Sequence, residues 1–118
     1  MDSDPNDPGH LLLREADRNE LLKPLILQLN KDFELSGLDC SISEKALPGQ
    51  IAKELHRILE KLIRDDFQGF LNLLYRIDVP ESGIHRTDNQ DMEEFIATAS
   101  YQLLKREWQK VWFRNKIQ

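Results

Sequence analysis

The chain has 118 residues, 40% hydrophobic and 31% charged, with 16 basic against 21 acidic side chains and a net charge of −5. That length suits one domain burying roughly two-thirds of its unfolded surface, and the apolar share excludes wholesale disorder. No apolar run nears the ~20 residues of a membrane-spanning helix, the acidic balance argues against a general nucleic-acid binder, and one cysteine cannot form an internal disulfide or a multi-cysteine metal site.

Residues 1–10, Met-Asp-Ser-Asp-Pro-Asn-Asp-Pro-Gly-His, are acidic and proline-broken, with no aliphatic side chain beyond Met1. They predict a disordered tail. A secretory signal would need a basic start and a continuous apolar core, whereas Leu11-Leu12-Leu13 runs straight into Arg14-Glu15. With a lone Cys40, the expected compartment is the cytosol. Cys40 lies between Asp39 and Ser41, without a basic neighbour to activate it, so an inert thiol is expected.

From residue 11 to 118 the pattern is helical, without sustained period-2 alternation apart from one short extended piece at Leu38 to Ile42. The spacing of Leu21, Leu22, Leu25, Ile26, Leu29 and Phe33 predicts a first helix over residues 19–35. Asp17 and Glu20 resemble a capping box at its start, and Ser36-Gly37 is a stop. Pro24 biases Lys23 away from helical dihedrals, which places the regular part from Pro24 onward.

The second helix starts at Pro48. Leu47, Ile51, Leu55, Ile58, Leu59, Leu62 and Ile63 form one apolar stripe, with Lys53, Glu54, Arg57, Glu60, Lys61 and Arg64 opposite. Asp65-Asp66 supplies an N-cap for a third helix over residues 67–77. There Phe67, Phe70, Leu71, Leu73, Leu74 and Ile77 cover more than half the circumference, which predicts the most buried element, with Leu71 in the core. Residues 78–83 contain Pro80 and Gly83 and read as a loop. A long last helix runs from about Asn89 to Arg114, acidic at its start and basic at its end, as the helix dipole favours. The expected fold is all-α: a single four-helix domain with a disordered acidic tail and a long C-terminal helix.

Candidate chemistry is sparse. His56 and Glu60, four apart, can reach one metal ion, but no further His or Cys stands at helical spacing beside them. His56 lies on the border of the apolar stripe, so packing is its expected role, and no metal and no cofactor are called for. His85, between Glu81 and Asp88, has ligand-like spacing in a loop. The acidic groups at Asp65-Asp66 and Asp91-Glu93-Glu94 fall at helix starts, where they cap. The apolar stripes read as free of ionisable residues, and no phosphate-binding loop, nucleophile elbow or H-E-x-x-H motif is present. The pattern leans away from an enzyme. The pair formed by helices two and three is a poor helix-turn-helix, since its second helix opens on two aspartates and carries one cation, Arg76.

The tract Asn72-Leu-Leu-Tyr-Arg-Ile-Asp-Val-Pro-Glu81 resembles the corresponding stretch of small bacterial helical proteins that carry Tyr-Arg-Ile-Asp-Val after the third helix. The resemblance implies an all-α fold and a bacterial cytosolic setting, and brings no activity, cofactor or catalytic residue. Physically, Arg76 and Asp78 are expected to fasten the end of helix three through an ion pair or backbone hydrogen bonds. The second role open to them is a ligand site with His85.

The last helix carries two apolar arcs. Met92, Phe95, Ile96, Ala99 and Leu103 form a core stripe in its first half. Tyr101, Leu104, Trp108, Val111 and Trp112 cluster on the far side in its second half, flanked by Lys105, Arg106, Lys110 and Arg114. Either Leu11 to Leu13 or a kink covers this second arc within the chain, or another protein does, most simply a second copy in a homodimer. The leading expectation is therefore a protein-binding module. A ligand-binding protein or small enzyme with a site at Arg76, Asp78 and His85 is one alternative. A binder of anionic surfaces through the basic aromatic C-terminus is the other.

Overall fold

The computed structural model describes residues 7–80, 84 and 91–116. Among these residues the fold is all-α, with five helices and no strand: α1 (Pro8–Arg18), α2 (Leu22–Leu35), α3 (Pro48–Asp65), α4 (Phe67–Ile77) and α5 (Met92–Lys116). The expected count of four is corrected by α1. The Asp-Pro pair that reads as a tail is instead a helix start. The Asp7 side chain accepts from the backbone N–H of Gly9 and His10 at 3.0 and 3.3 Å, and Pro8 occupies the first turn, where its missing N–H costs nothing. Residues 7–10 thus belong to α1 and its cap, while residues 1–6 of the expected tail lie outside the described residues.

α1 ends where a capping box was expected. Asp17 lies inside the helix, and Glu20 takes the left-handed conformation (φ 59°). The Leu21 N–H then reaches back to the Ala16 carbonyl at 2.9 Å, and that of Glu20 to Asp17 at 3.0 Å. This is the double bond of a Schellman stop, and Leu21 buries itself at the corner. α2 starts directly afterwards, at Leu22 rather than Pro24, with Pro24 still in the first turn.

α2 ends on the same motif with the residue that suits it best. Leu38 N–H bonds the Phe33 carbonyl at 2.9 Å and Gly37, at φ 79°, carries the left-handed turn. The connection to α3 forms no strand. It is pinned by Asn30, whose side-chain amide donates to the Ile42 carbonyl and accepts from the Ile42 N–H, both at 2.8 Å. That bidentate clasp lets Ile42 enter the core without unsatisfied backbone.

The Leu47 N–H donates to Gln50 Oε1 at 2.7 Å at the start of α3. The Asp66 side chain caps α4 through the Gly69 N–H at 3.0 Å, lying so close over Gly69 that a Cβ there would clash with it. The Asp91 side chain accepts from the Glu94 N–H at 2.7 Å, so α5 begins at Met92 rather than Asn89.

α5 is the axis of the domain and packs against each of the other four helices. Its 25 residues span about 37 Å of a molecule whose longest extent is 42 Å. The core it organises includes Leu13, Leu25, Ile26, Leu29, Phe33, Ile51, Leu55, Leu59, Phe70, Leu73, Ile77, Ile96 and Leu103. Leu71 is not among them. α4 is amphipathic rather than the most buried element: Phe67, Leu71 and Tyr75, spaced four apart, are exposed along one face at 49, 42 and 89%.

Candidate functional site

The second half of α5 decides how the sequence-derived interface is to be read. Along the whole helix the buried residues are Phe95, Ile96, Ala99, Leu103, Leu104, Glu107 and Val111. They follow three- and four-residue spacings, and at 100° per residue the buried face turns by about 100° between Phe95–Ala99 and Leu104–Val111. Glu107, with no exposed surface at all, stands on this buried face between Leu103 and Val111. Leu104 and Val111 flank that glutamate and are buried inside the chain. The start of α1 lies on Leu104, since a Cβ on Gly9 would sit 3.4 Å from its Cδ1. α1 therefore packs on α5 at Leu104, with Leu13 and Ala16 wholly buried.

The rest of the second arc is not covered to the same degree. Tyr101 and Trp108 are half-buried, and Trp108 packs against the core. Trp112 is 38% exposed, and beside it Phe113 is 59% exposed. The two indoles meet at 5.6 Å between centroids, tilted by 55°, and Lys116 Nζ lies 5.1 Å from the centre of the Trp112 ring. Glu15 of α1 completes a shallow groove with Trp108, Gln109, Trp112 and Phe113. Phe113 was absent from the sequence-derived set because it lies off the Trp108–Trp112 arc. Its only signal was adjacency to Trp112 in a chain with five phenylalanines.

The cations around this end are mostly engaged within the chain. Arg106 pairs with Asp78 at 3.3 Å and Arg114 donates to Gln28 Oε1 at 3.0 Å. Lys110 reaches inward, 3.5 Å from Asp32 and 3.1 Å from Glu107. Lys105 stays exposed, and Lys116 sits over an indole. A basic face free to grip an anionic surface is thus reduced to few groups, which weighs against that alternative.

A polar seam runs between α2 and α5, made by Gln28, Asp32, Glu107, Lys110 and Arg114. Gln28 donates to Asp32 Oδ2 at 3.0 Å, and both are buried. Lys110 Nζ stands 3.1 Å from Glu107 Oε1, while Oε2 is buried without a hydrogen-bond donor. As a carboxylic acid it donates to the Asp32 carboxyl. Burial first, then that hydrogen bond and the like charge of Asp32, push its pKa up to about 9, with Lys110 opposing. The sequence reading held the apolar stripes free of ionisable groups, and Glu107 is the exception.

Asp78 takes the left-handed conformation at φ 71°, and the Val79 N–H bonds the Leu74 carbonyl at 2.9 Å while Val79 buries itself. The Tyr75–Val79 tract is therefore a third Schellman stop, locked to α5 through Arg106. Arg76 is exposed and is not the partner of Asp78, and His85 lies outside the described residues. Cys40 is half-buried, and burial, aided by Asp39, pushes its thiol pKa up, away from nucleophilic use. His56 meets Glu93 of α5 with Nε2 3.1 Å from Oε2.

No protein family, no curated protein and no solved structure matches the chain. Among the described residues no helix is long and apolar enough to cross a membrane.

Proposed function

We propose that the chain is a small cytosolic module that works by binding protein, with the end of α5 as its docking face and a second copy of itself as the partner. The observation that carries this reading is the adjacent exposure of Trp112 and Phe113, two large aromatic side chains beside a half-buried Trp108. Aromatic groups of this kind dominate the centres of interfaces, and leaving them in water is a solubility liability. The choice of occupant rests on charge. The patch holds an acid, Glu15, in the lining of the aromatic groove and a base, Lys116, over its Trp112 ring. A two-fold axis presents each sign to the other, as a self-complementary surface requires.

Light-scattering mass across a concentration series tests this. The wild type should pass from monomer to dimer as concentration rises. Trp112→Ala combined with Phe113→Ala should weaken association by roughly thirty-fold or more, the equivalent of ~2 kcal/mol at an interface centre, with the helical circular dichroism intact. A wild type that stays monomeric at high concentration, or a double variant that dimerises equally well, refutes the proposal.

A further inference from the structure

His56 stands on the border of the buried stripe of α3, where it meets α5, and Glu60, half-buried, stands one turn further along the same helix. Two ligands on one helix make no metal site, and the sequence offers no third nearby. The fold supplies it from 33 positions onward, where the first turn of α5 sets Glu93 against the imidazole. One ligand atom from each of His56, Glu60 and Glu93 lies within 4.8 Å of the others, and all three residues are half-buried.

We propose that His56, Glu60 and Glu93 hold one divalent transition-metal ion of the zinc class, tying the start of α5 to the middle of α3. Zinc–nitrogen and zinc–oxygen bonds of about 2.0–2.2 Å in a tetrahedron set neighbouring ligands roughly 3.3–3.5 Å apart. The His56–Glu93 pair, at 3.1 Å, already has about that spacing. Glu60 needs only a side-chain rotation, away from an exposed contact with Arg64 of its own helix at 3.1 Å, an interaction of the kind that is readily given up. One imidazole nitrogen selects a transition ion over magnesium or calcium, which take shells of six or more oxygens. Two carboxylates balance the ionic charge. Three protein ligands at a half-open site leave a fourth position to water. The assignment is independent of the docking face, which lies at the opposite end of α5.

The test uses the full chain, stripped with a chelator and titrated with Zn²⁺ by calorimetry, with elemental analysis of the dialysed complex. One ion per chain is expected, together with a higher melting temperature in its presence. His56→Ala and Glu93→Gln should each lower affinity by about 10–100-fold or more. Glu94→Gln, the exposed neighbour, should leave it unchanged. Glu93→Gln preserves shape at a half-exposed position, so it decides the matter even where His56→Ala fails to fold. Failure to saturate at one ion per chain, or binding that survives Glu93→Gln undiminished, overturns the site and leaves His56–Glu93 as an ion pair.

Discussion

Replacing Glu107 with glutamine should stabilise the protein at neutral pH. In the unfolded chain this carboxyl titrates near 4.5, whereas in the fold it keeps its proton up to about 9. Between those values the folded state holds one proton more than the unfolded state, so stability falls as pH rises. At 1.36 kcal/mol per unit, the penalty at pH 7 is about 3 kcal/mol relative to acid, an upper figure since local relaxation softens burial. Glutamine keeps the shape and can still donate to Asp32, but it carries no charge to desolvate. Glu107→Gln should therefore gain up to ~3 kcal/mol at pH 7, or roughly 10 °C in Tm for a chain of this size. The gain should shrink toward zero near pH 4.5 and widen toward pH 9. Thermal and urea unfolding of both proteins, followed by circular dichroism at pH 5, 7 and 8.5, measures the difference and cancels every other titrating group. The opposite sign refutes the reasoning. If Glu107 is ionised and held by Lys110, its neutralisation breaks a buried ion pair and costs ~3–5 kcal/mol at pH 7.

Two further outcomes follow from the packing. Leu59→Ala should lose roughly 2–5 kcal/mol in urea unfolding, as cavities in closed cores do, whereas Leu71→Ala should stay within about 1 kcal/mol because that side chain faces out of α4. Equal losses would place Leu71 back in a core. At the end of α4, Asp78→Val should cost about 1–2 kcal/mol, since a β-branched residue resists the left-handed region, while Asp78→Gly should be neutral or stabilising despite losing the exposed pair with Arg106. A tolerated valine would contradict the Schellman geometry.

How far the sequence discloses this fold depends on whether the side chains of each element agree with their surroundings. The starts of α3 and α4 are legible to the residue because stripe, proline and aspartate cap all point the same way, although Leu47, Phe67 and Leu71 of their expected apolar faces are exposed. α1 is not legible in this way, since its 11 residues bury mainly Leu13 and Ala16 and carry four charges after Leu13 on the outer side. Its helical spacing, with Leu12, Leu13 and Ala16 on one face, is too short to stand out beside the acidic, proline-broken stretch that precedes it. Asp17 and Glu20 misled for a related reason: the same spacing that starts a helix also fits one that is ending, and only the bond from Leu21 back to Ala16 distinguishes them.

Glu107 had a signal that hydrophobic periodicity discards. It stands four residues after Leu103 and four before Val111, so a helix that buries both must bury it too. On α2, Gln28 and Asp32 interrupt the row of Leu25, Leu29 and Phe33 in the same manner. Two apolar stripes, each interrupted by acids or amides, can satisfy those groups only by facing each other, and the α2–α5 seam is that solution. Leaving Glu107 out of the count breaks the turning buried face of α5 into two arcs and makes the whole second arc look like a free surface. Counting it as inward-facing assigns Leu104 and Val111 to the core, and leaves Trp112 and Phe113 as the large side chains of that end which the chain's own helices leave exposed.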